Sequence, residues 1–536
     1  MSCVSNITQV LAAPDVPASH WFGKGPTYYG PFEYASNLYI AQIINLTTSG
    51  LQPDEPEYDI QILKSTNGGL TWAIIAILSH PEIDFFAEQR CQFFISGSII
   101  YYAYLRNTST FSQINIDLGK YDIVANAYSH SFSTLGPHVA NLADIPTFDQ
   151  MSISRQAFDA CIVGGVIYVG YANTESDPTP AFAGLTYYYT KCAVAKYVIA
   201  TDTWTEVLPY AQTGTVVYTF FSIIPGDGCL HTFLFHHTLN PLFPNTPPQI
   251  TEALVHYSLD YDLNLLSSET IHTNINLVEN LDHPKPITFL DGGTKRIAVG
   301  VFEETYHVSS PHIFSSPYFK IFEGANASVP SFSLARTLNV SEVDPNIESV
   351  FGIIVGSQYQ VSNSAIYWTG TNYSVFVDTL TEGGSSTFSS KLWKVDYTGS
   401  AWEACEILNT QDVNTSTSWV QVGVGVYIGT SYGDFISWGL ADRDDFAPEG
   451  YFYTALIAAS INLSVSVSDT LVFADHVTVP VPSTPGGGTE VHNCPDVIIS
   501  SAYCSSVKTA VDDEAQLHNC DEEVFTETAQ PCLEMD

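Results

Sequence analysis

The sequence predicts an all-β fold: a seven-bladed β-propeller of four-stranded antiparallel blades, followed by a small cysteine-containing C-terminal tail. Three observations predict it. A short apolar run recurs along the chain, each run has a strand-like partner just upstream, and a second hairpin follows. Because propeller blades close into one ring, the 536 residues need not divide into several domains of ordinary size.

The apolar runs are strand-like and rich in Ile, Val, Tyr and Phe. Their starts lie about 65 residues apart on average. A roughly constant period of this length is typical of stacked or radially arranged units. The seven runs cover residues 38–44, 99–105, 166–171, 230–235, 297–302, 375–377 and 426–428.

A turn containing glycine precedes most of these runs. Gly97, Gly164 and Gly370 are examples, and glycine suits a tight turn because it adopts positive φ without a Cβ clash. We therefore expect each run to be the second strand of a hairpin. The first strands are visible upstream at 91–95, 160–163, 287–290 and 365–368.

Each unit continues with a second hairpin. In the first unit Ile60 and Ile62 flank Gln61, which is the period-two alternation of a half-buried strand. Comparable segments lie at 59–72, 113–124, 193–204, 255–263, 318–326 and 392–402. Two hairpins give four antiparallel strands, the composition of one blade.

The second hairpin of the first unit carries a recognisable turn sequence. Residues 65–72 read Ser-Thr-Asn-Gly-Gly-Leu-Thr-Trp, and residues 201–204 and 399–402 are weaker echoes. This segment resembles the Asp-box, or BNR, motif of sialidases and related propellers, and the echoes are similar to kelch-like hairpins. The matching residues are Ser65, Asn67 in the place of the aspartate, Gly69, Thr71 and Trp72. The resemblance implies a structural turn on the propeller rim and no particular activity.

Charge excludes one class of partner. The chain has 56 acidic and 17 basic residues and a net charge of −39, although only 14% of its residues are charged. Such a surface repels phosphate backbones, so we expect no nucleic acid partner.

No apolar stretch is long enough to cross a membrane, and no signal peptide is evident, so we expect no membrane insertion. An exterior-type surface without an export signal favours a protein assembled onto a particle that leaves the cell.

The residues after 477 differ from the rest. We predict a propeller over 1–477, a Pro/Gly/Ser linker over 478–488 and an acidic tail over 489–536. The tail cysteines are Cys494, Cys504, Cys520 and Cys532. Disulfides, zinc and free thiols all remain open, and disulfides are favoured because zinc motifs usually contain a closely spaced C-x₂₋₄-C pair. The cysteines of the propeller that lie in or beside strands are expected to be buried free thiols: Cys91, Cys161, Cys192 and Cys229.

The long connectors between hairpins are the predicted binding face, because loops on a rigid scaffold usually carry function. Their aromatic and polar side chains suit a sugar or a protein surface, although each aromatic residue could instead fill the core between blades. The candidate binding residues are Phe243, Tyr306, His307, Tyr432, Asp434 and Trp438. Calcium is the one cofactor left open, at the acidic runs 54–59 and 442–445, and no metal site is assigned.

Catalytic patterns are weak. Sialidase chemistry needs three arginines that bind a carboxylate, a tyrosine nucleophile with a glutamate partner, and an aspartate that acts as the acid. None of the arginines of this chain lies in the Arg-Ile-Pro (R-I-P) sequence that opens the sialidase pattern. A general glycosidase needs two carboxylates flanking the bond, and the sequence singles out no such pair. The arginines are Arg90, Arg106, Arg155, Arg296, Arg336 and Arg443.

Two functions follow from these observations. The leading prediction is a non-enzymatic structural or host-attachment protein on the exterior of a virus-like particle such as a phage, or otherwise in the extracellular space. Its partners would be neighbouring virion subunits through the tail, and host surface glycan or protein through the connectors. The alternative is a secreted carbohydrate-active enzyme of propeller fold, glycosidase or sialidase-like. The sequence leaves enzymatic activity open and favours its absence.

Overall fold

Seven four-stranded antiparallel sheets form a ring in the computed structural model of the chain, which confirms the predicted seven-bladed β-propeller. We number the blades in chain order and count the strands of a blade outward from the centre of the ring. The structure describes residues 4–13, 28–45, 58–80, 91–107, 114–132, 158–176, 188–207, 216–238, 251–274, 285–307, 313–343, 364–383, 387–409, 419–442, 450–457, 477–480, 491–494, 517–518 and 534–535.

The first strand in the chain, β1 (Val4–Ala13), belongs to blade 7, and each of blades 1 to 6 is built from four consecutive strands. Blade 1 contains β2 (Tyr28–Tyr34), β3 (Asn37–Asn45), β4 (Tyr58–Ser65) and β5 (Ala73–His80). Blade 2 contains β6 (Cys91–Ser96), β7 (Ile99–Asn107), β8 (Ile114–Asp122) and β9 (Ala127–Phe132). Blade 3 contains β10 (Phe158–Val163), β11 (Val166–Ser176), β12 (Tyr188–Val198) and β13 (Thr203–Val207).

The next three blades repeat this arrangement. Blade 4 contains β14 (Val216–Pro225), β15 (Leu230–Thr238), β16 (Thr251–Leu259) and β17 (Leu265–Asn274). Blade 5 contains β18 (Lys285–Asp291), β19 (Thr294–His307), β20 (Ile313–Ala325) and β21 (Ser333–Asn339), and the helical turn α1 (Val340–Val343) follows it. Blade 6 contains β22 (Ser364–Trp368), β23 (Tyr373–Gly383), β24 (Thr387–Tyr397) and β25 (Trp402–Asn409).

Blade 7 joins the two ends of the propeller. Its inner strands are β26 (Trp419–Thr430), β27 (Gly433–Asp442) and β28 (Gly450–Ile457). The outermost strand is β1, which pairs antiparallel with β28 and places Val10 opposite Phe452. Innermost strands contact one another all the way round, including β26 with β2. The ring is therefore closed by strand pairing between distant parts of the chain.

Apolar side chains of neighbouring blades form the core. Between blades 1 and 2, the rings of Tyr29 and Phe93 lie 4.7 Å apart and pack on buried Tyr102. Successive side chains of a strand point to opposite faces of a sheet, so every second residue meets the adjacent blade. The alternation seen in the sequence is thus the burial pattern of a blade packed between two others. Among the described residues, the one helix spans four residues, so none has the length of a membrane-crossing helix.

The strand order gives the ring two different faces. Turns between first and second strands, and between third and fourth strands, lie on one face, which we call the turn face. The connectors from second to third strands, and those between blades, lie on the other, the connector face. Most of the connector residues lie outside the described part of the chain.

Six of the seven apolar runs lie on second strands, as predicted. The seventh, at 426–428, lies on the first strand β26, so the prediction for this unit is wrong. The turn of that hairpin comes later, where Thr430 pairs with Gly433 and Gly433 has φ +116°. Both strands of this hairpin are apolar, so the apolar run alone did not distinguish the first from the second. Residues 433–442, which follow this run, are therefore the second strand β27 and not a connector.

The residues from Ser460 onward form a second unit, separate from Met1–Ala459. Within it, β29 (Val477–Pro480) pairs antiparallel with β30 (Val491–Cys494), and a short pair is formed by β31 (Leu517–His518) and β32 (Glu534–Met535). The predicted division at 477 and 488 stays a prediction. Cys504, Cys520 and Cys532 lie outside the described residues, and only the backbone of Cys494 is described.

Candidate functional site

A polar cavity of about 390 Å³ opens on the turn face between blades 5 and 6. Strand ends of both blades line it. Asp291 and Arg296 flank the first turn of blade 5, and Glu323 lies near the end of β20. The outer strand β21 contributes residues 333–336, and blade 6 contributes Trp368 and the turn that follows it. The cavity therefore lies on the opposite side of the ring from the connector face, which is the predicted binding face.

The floor of the cavity is a chain of charged and hydroxyl groups. Arg296 forms an ion pair with Glu323, and the Tyr373 hydroxyl donates a hydrogen bond of 2.6 Å to Glu323 Oε2. Tyr373 is 2% exposed, and burial raises its pKa well above the usual range, although the guanidinium groups of Arg296 and Arg336 oppose that rise. Glu323 is therefore neutralised by its neighbours and is not a free acid or base.

Arg336 has different surroundings. Its guanidinium lies 4.4 Å from the centre of the Tyr397 ring, and Nη1 donates a hydrogen bond of 2.6 Å to the Ala335 carbonyl oxygen. Its Nε is buried and has no hydrogen-bond partner, and Nε of Arg296 shares this condition. Within the described part of the chain, Arg336 forms no ion pair with a carboxylate. A cation is thus held at the cavity without a counter-charge in contact.

The aromatic wall is provided by Trp368. Its ring packs 4.4 Å from Phe289 and edge-on to Tyr373, and its Nε1 donates a hydrogen bond of 3.1 Å to the Leu290 carbonyl oxygen of blade 5. Gly370, with φ +97°, permits the tight turn after it, and the Asn372 amide donates to Thr369 Oγ1 at 3.1 Å. The indole and the turn residues are therefore fixed in place by blade 5 and by their own hairpin.

The groups around this cavity are of chemical types that can contact a saccharide. A partly exposed indole offers an apolar face for a sugar ring, while guanidinium, amide and hydroxyl groups can bond sugar hydroxyls. Glycoside cleavage would need two carboxylates, one of them available to protonate or attack. Glu323 is committed to Arg296 and Tyr373, which leaves Asp291, at the edge of the cavity, as the one other carboxylate among the described lining residues. The cavity therefore suits recognition rather than bond cleavage.

The predicted binding residues are dispersed. Tyr432 lies in the first turn of blade 7, on the turn face, and its hydroxyl donates a hydrogen bond of 2.8 Å to the Ser36 carbonyl oxygen of blade 1. Asp434 accepts hydrogen bonds from the Tyr367 hydroxyl at 2.7 Å and the Gly429 amide at 2.8 Å. Trp438 is 0% exposed and stacks on Tyr453 in the core, so in this structure its ring is not available to a ligand.

The other predicted residues are only partly described. Tyr306 and His307 end strand β19 beside a connector, and the structure describes only their backbone. Phe243 and both acidic runs suggested for calcium lie wholly or mainly outside the described residues. Within the described part no group of His, Cys, Asp or Glu side chains is placed to hold a metal ion. The calcium suggestion stays a prediction.

The turn at 65–72 has dense internal hydrogen bonding. The Ser65 hydroxyl donates to Asn67 Oδ1 at 2.9 Å and accepts from the Gly69 amide at 2.9 Å. Asn67 Oδ1 also accepts from the Thr71 amide at 3.0 Å, and Asn67 Nδ2 donates to Thr71 Oγ1 at 2.9 Å. Trp72 is buried between blades 1 and 7. These contacts are all internal to the scaffold.

Sequence reasoning missed the cavity, although one signal pointed to it. Arginine is rare in this chain, yet Arg296 and Arg336 both fall in the fifth unit. Neither arginine lies in an Arg-Ile-Pro sequence. That sequence identifies one enzyme family and does not indicate whether a chain forms an anion-binding cavity. The presence of two arginines in one unit of a chain with few arginines was therefore the better indicator of the cavity.

Neither a family model nor a curated protein matches this sequence. Solved structures do resemble it. The GH93 α-L-arabinofuranosidase of Fusarium graminearum is 10% identical with a TM-score of 0.36, over 63% of this chain and 99% of that one. The polysaccharide lyase Uly1 is 9% identical with a TM-score of 0.43, over 84% and 98%. The Bombyx mori GH32 β-fructofuranosidase is 9% identical with a TM-score of 0.31, over 83% and 92%.

These comparisons correct the leading function prediction. The similar structures are glycoside hydrolases and a polysaccharide lyase, not virion proteins. The prediction of a non-enzymatic protein on a virus-like particle is therefore wrong, which leaves the carbohydrate-active alternative as a proposal. An acidic, hydroxyl-rich composition is shared by many proteins of the cell exterior, so it could not separate the two. At these identities the likeness itself concerns the fold alone, and the ligand has to be inferred from the cavity.

Proposed function

We propose that this protein is a secreted, carbohydrate-active β-propeller that holds a saccharide in the cavity between blades 5 and 6. The observation that carries the proposal is the combination of a partly exposed, rigidly held indole at Trp368 with two guanidinium groups and a polar turn around one cavity. Its volume of about 390 Å³ lies in the range of small-molecule pockets. The hydrogen-bonded turn at 65–72 supports an Asp-box type of propeller scaffold around it.

Two observations bear on the setting and the chemistry. Cys405 is disulfide-bonded, and disulfides persist in oxidising compartments, which supports a location outside the cytoplasm. Tyr373 and Glu323 form a Tyr–Glu pair of the kind that sialidase chemistry uses. However, a buried tyrosine with a raised pKa is a poor nucleophile, so we assign this pair to holding Arg296 and not to catalysis.

The proposal is tested by measuring saccharide binding with a matched pair of tryptophan variants. Trp402 also belongs to blade 6 and also donates its Nε1 to blade 5, at 2.9 Å from the Thr337 carbonyl oxygen, but it does not line the cavity. We expect W368L to weaken binding to a neutral and acidic oligosaccharide panel about tenfold or more, since stacking on an aromatic ring is lost. W402L should leave the affinity for neutral oligosaccharides unchanged while causing a similar loss of thermal stability; only neutral oligosaccharides are compared for this variant, because Trp402 packs on Tyr397, whose ring contacts Arg336.

Calorimetric titration on both variants decides the matter. Equal losses of affinity in W368L and W402L would assign the effect to general destabilisation and remove the cavity from the function. Absence of binding by the unmodified protein to every oligosaccharide of the panel would overturn the proposal.

A further inference from the structure

Positive charge is scarce in this chain and is mostly paired. The 17 basic residues stand against 56 acidic ones. Lysines of several blades reach carboxylates on neighbouring strands or blades, for example Lys196 to Asp262 at 2.9 Å and Lys295 to Asp227 at 2.7 Å. Arg296 is neutralised by Glu323 in the same way. The structure thus uses most of its described cations to hold its own acidic groups.

Arg336 departs from that use. It lines the cavity, it is partly exposed, and it forms no ion pair within the described residues. The Tyr397 ring on one side and the Ala335 carbonyl oxygen fix the plane of its guanidinium. An oriented guanidinium offers parallel N–H donors that match the two oxygens of a carboxylate. Asp291 also lines the cavity but is exposed at its edge, where water screens it.

From this arrangement, and resting on the proposed function, we propose that the cavity selects acidic saccharides and that Arg336 binds the carboxylate of a uronic acid residue. The sugar ring lies against Trp368, and Asn372 and Thr371 bond its hydroxyls. Arg296 stays paired with Glu323 and positions the floor. In a protein of net charge −39, an anionic ligand needs such a local cation, because the rest of the surface repels it.

The test compares an oligouronide with its carboxyl-reduced neutral counterpart and with a sulfated neutral oligosaccharide of the same length. We expect the unmodified protein to bind the oligouronide about 10- to 100-fold more tightly than the neutral sugar, as a charge-assisted bidentate contact requires. Tighter binding of the sulfated sugar than of the oligouronide would show a general anion site and overturn the carboxylate assignment.

Substitution of Arg336 provides the second arm. R336Q should reduce the preference for the oligouronide to about onefold, by weakening binding of the oligouronide far more than binding of the neutral sugar, and it should lower the salt dependence of oligouronide binding. R336K keeps the charge but not the planar fork, so we expect an intermediate preference. The control for the loss of one positive charge is K391Q, which removes a cation of blade 6 that lies outside the cavity and pairs with Glu406 at 3.4 Å.

The outcomes separate this inference from the proposed function. Equal binding of acidic and neutral sugars by the unmodified protein would overturn the role of Arg336 and leave saccharide binding standing. A preserved preference in R336Q would do the same. Absence of binding to all three sugars would overturn both.

Discussion

Two histidines of blade 4 are buried side by side. His231 Nδ1 lies 3.0 Å from His256 Nε2, and His231 Nε2 lies 3.1 Å from Asn326 Oδ1 of blade 5. Burial lowers the pKa of both rings, and for His256 burial together with the charge of His231 lowers it to about 3. The remaining neighbours are the Cys229 thiol and the rings of Phe233 and Phe332, which carry no charge. Both histidines are therefore held neutral in the folded protein.

This pair predicts a loss of stability in weak acid. The unfolded chain protonates its histidines near pH 6.5, whereas folded His256 stays neutral to about pH 3, so the unfolded state binds more protons in between. The stability that the neutral histidine contributes is fully present above about pH 6.5. It falls as the pH drops, by about 1.4 kcal/mol per pH unit for each proton that the unfolded state binds and the folded state does not. Denaturant midpoints measured from pH 7.5 to 5.5, above the range where most carboxylates protonate, should show it.

The matched variants are H256Q and H272Q, the second replacing a partly exposed histidine of the same blade. H256Q should flatten the pH dependence of stability between pH 6.5 and 5.5, while H272Q should preserve the slope of the unmodified protein. An unchanged slope in H256Q would contradict the assignment.

At the scale of elements, the turn between β4 and β5 shows how local bonding supports contact between blades. Gly68 and Gly69 have φ of +69° and +89°. A Cβ on Gly68 would lie 2.8 Å from the Tyr432 ring of blade 7, so a larger residue there would displace the contact that closes the ring. Positive φ and close approach together require glycine at this position.

Asn67 is the residue that orders this turn, and N67A should destabilise the protein by about 1 kcal/mol because the Ser65 hydroxyl and the Thr71 amide lose their shared acceptor. N67D keeps that acceptor and should be tolerated. Thermal unfolding is the measurement. T66A, at an exposed position of the same turn, is the control and should change stability by less than about 0.5 kcal/mol. Equal effects of N67A and T66A would contradict the role given to Asn67.

Elements whose partners are adjacent in the chain were predictable from the sequence. Strands such as β7 and β11 follow a glycine turn and pair with the strand just before them, so local pattern and pairing agree. Blade 7 was harder. The run 426–428 had the right composition but lay on the first strand, and β1 carried no local signal because its partner β28 is at the other end of the propeller.

The cavity was not predictable for a related reason. Arg296, Arg336 and Trp368 come from three strands of two blades, and only the packing of blade 6 on blade 5 brings them together. A periodic pattern reports which residues are buried, but it does not report which residues of adjacent blades face one another.

At the scale of the whole molecule, stability depends on how the ring is closed. Val10 of β1 is 0% exposed and packs with Leu38, Trp72 and Phe435 at the junction of blades 7 and 1. Glu33 of blade 1 accepts hydrogen bonds from the amide and hydroxyl of Ser431 of blade 7. This junction combines an apolar core with polar contacts between residues far apart in the chain.

V10A should therefore destabilise the ring by about 2 kcal/mol, through the lost methyl groups and the cavity they leave. Ile7 on the same strand is 47% exposed, and I7A should change stability by less than about 0.5 kcal/mol. Denaturant unfolding followed by tryptophan fluorescence measures both. If the larger loss belonged to I7A, the register of β1 against β28 would have to be different.

Strand β1 also has a consequence for biosynthesis. A ribosome makes Val4–Ala13 before the other described propeller strands and Gly450–Ile457 after them, and at about 5–20 residues per second the two are separated by roughly 20 to 90 seconds. During that interval β28, the strand with which β1 pairs, has not yet been synthesised. The strand is polar over much of its length before it pairs, because it contains Ser5, Asn6, Thr8 and Gln9. The sheet of blade 7 can form only once translation has passed residue 457.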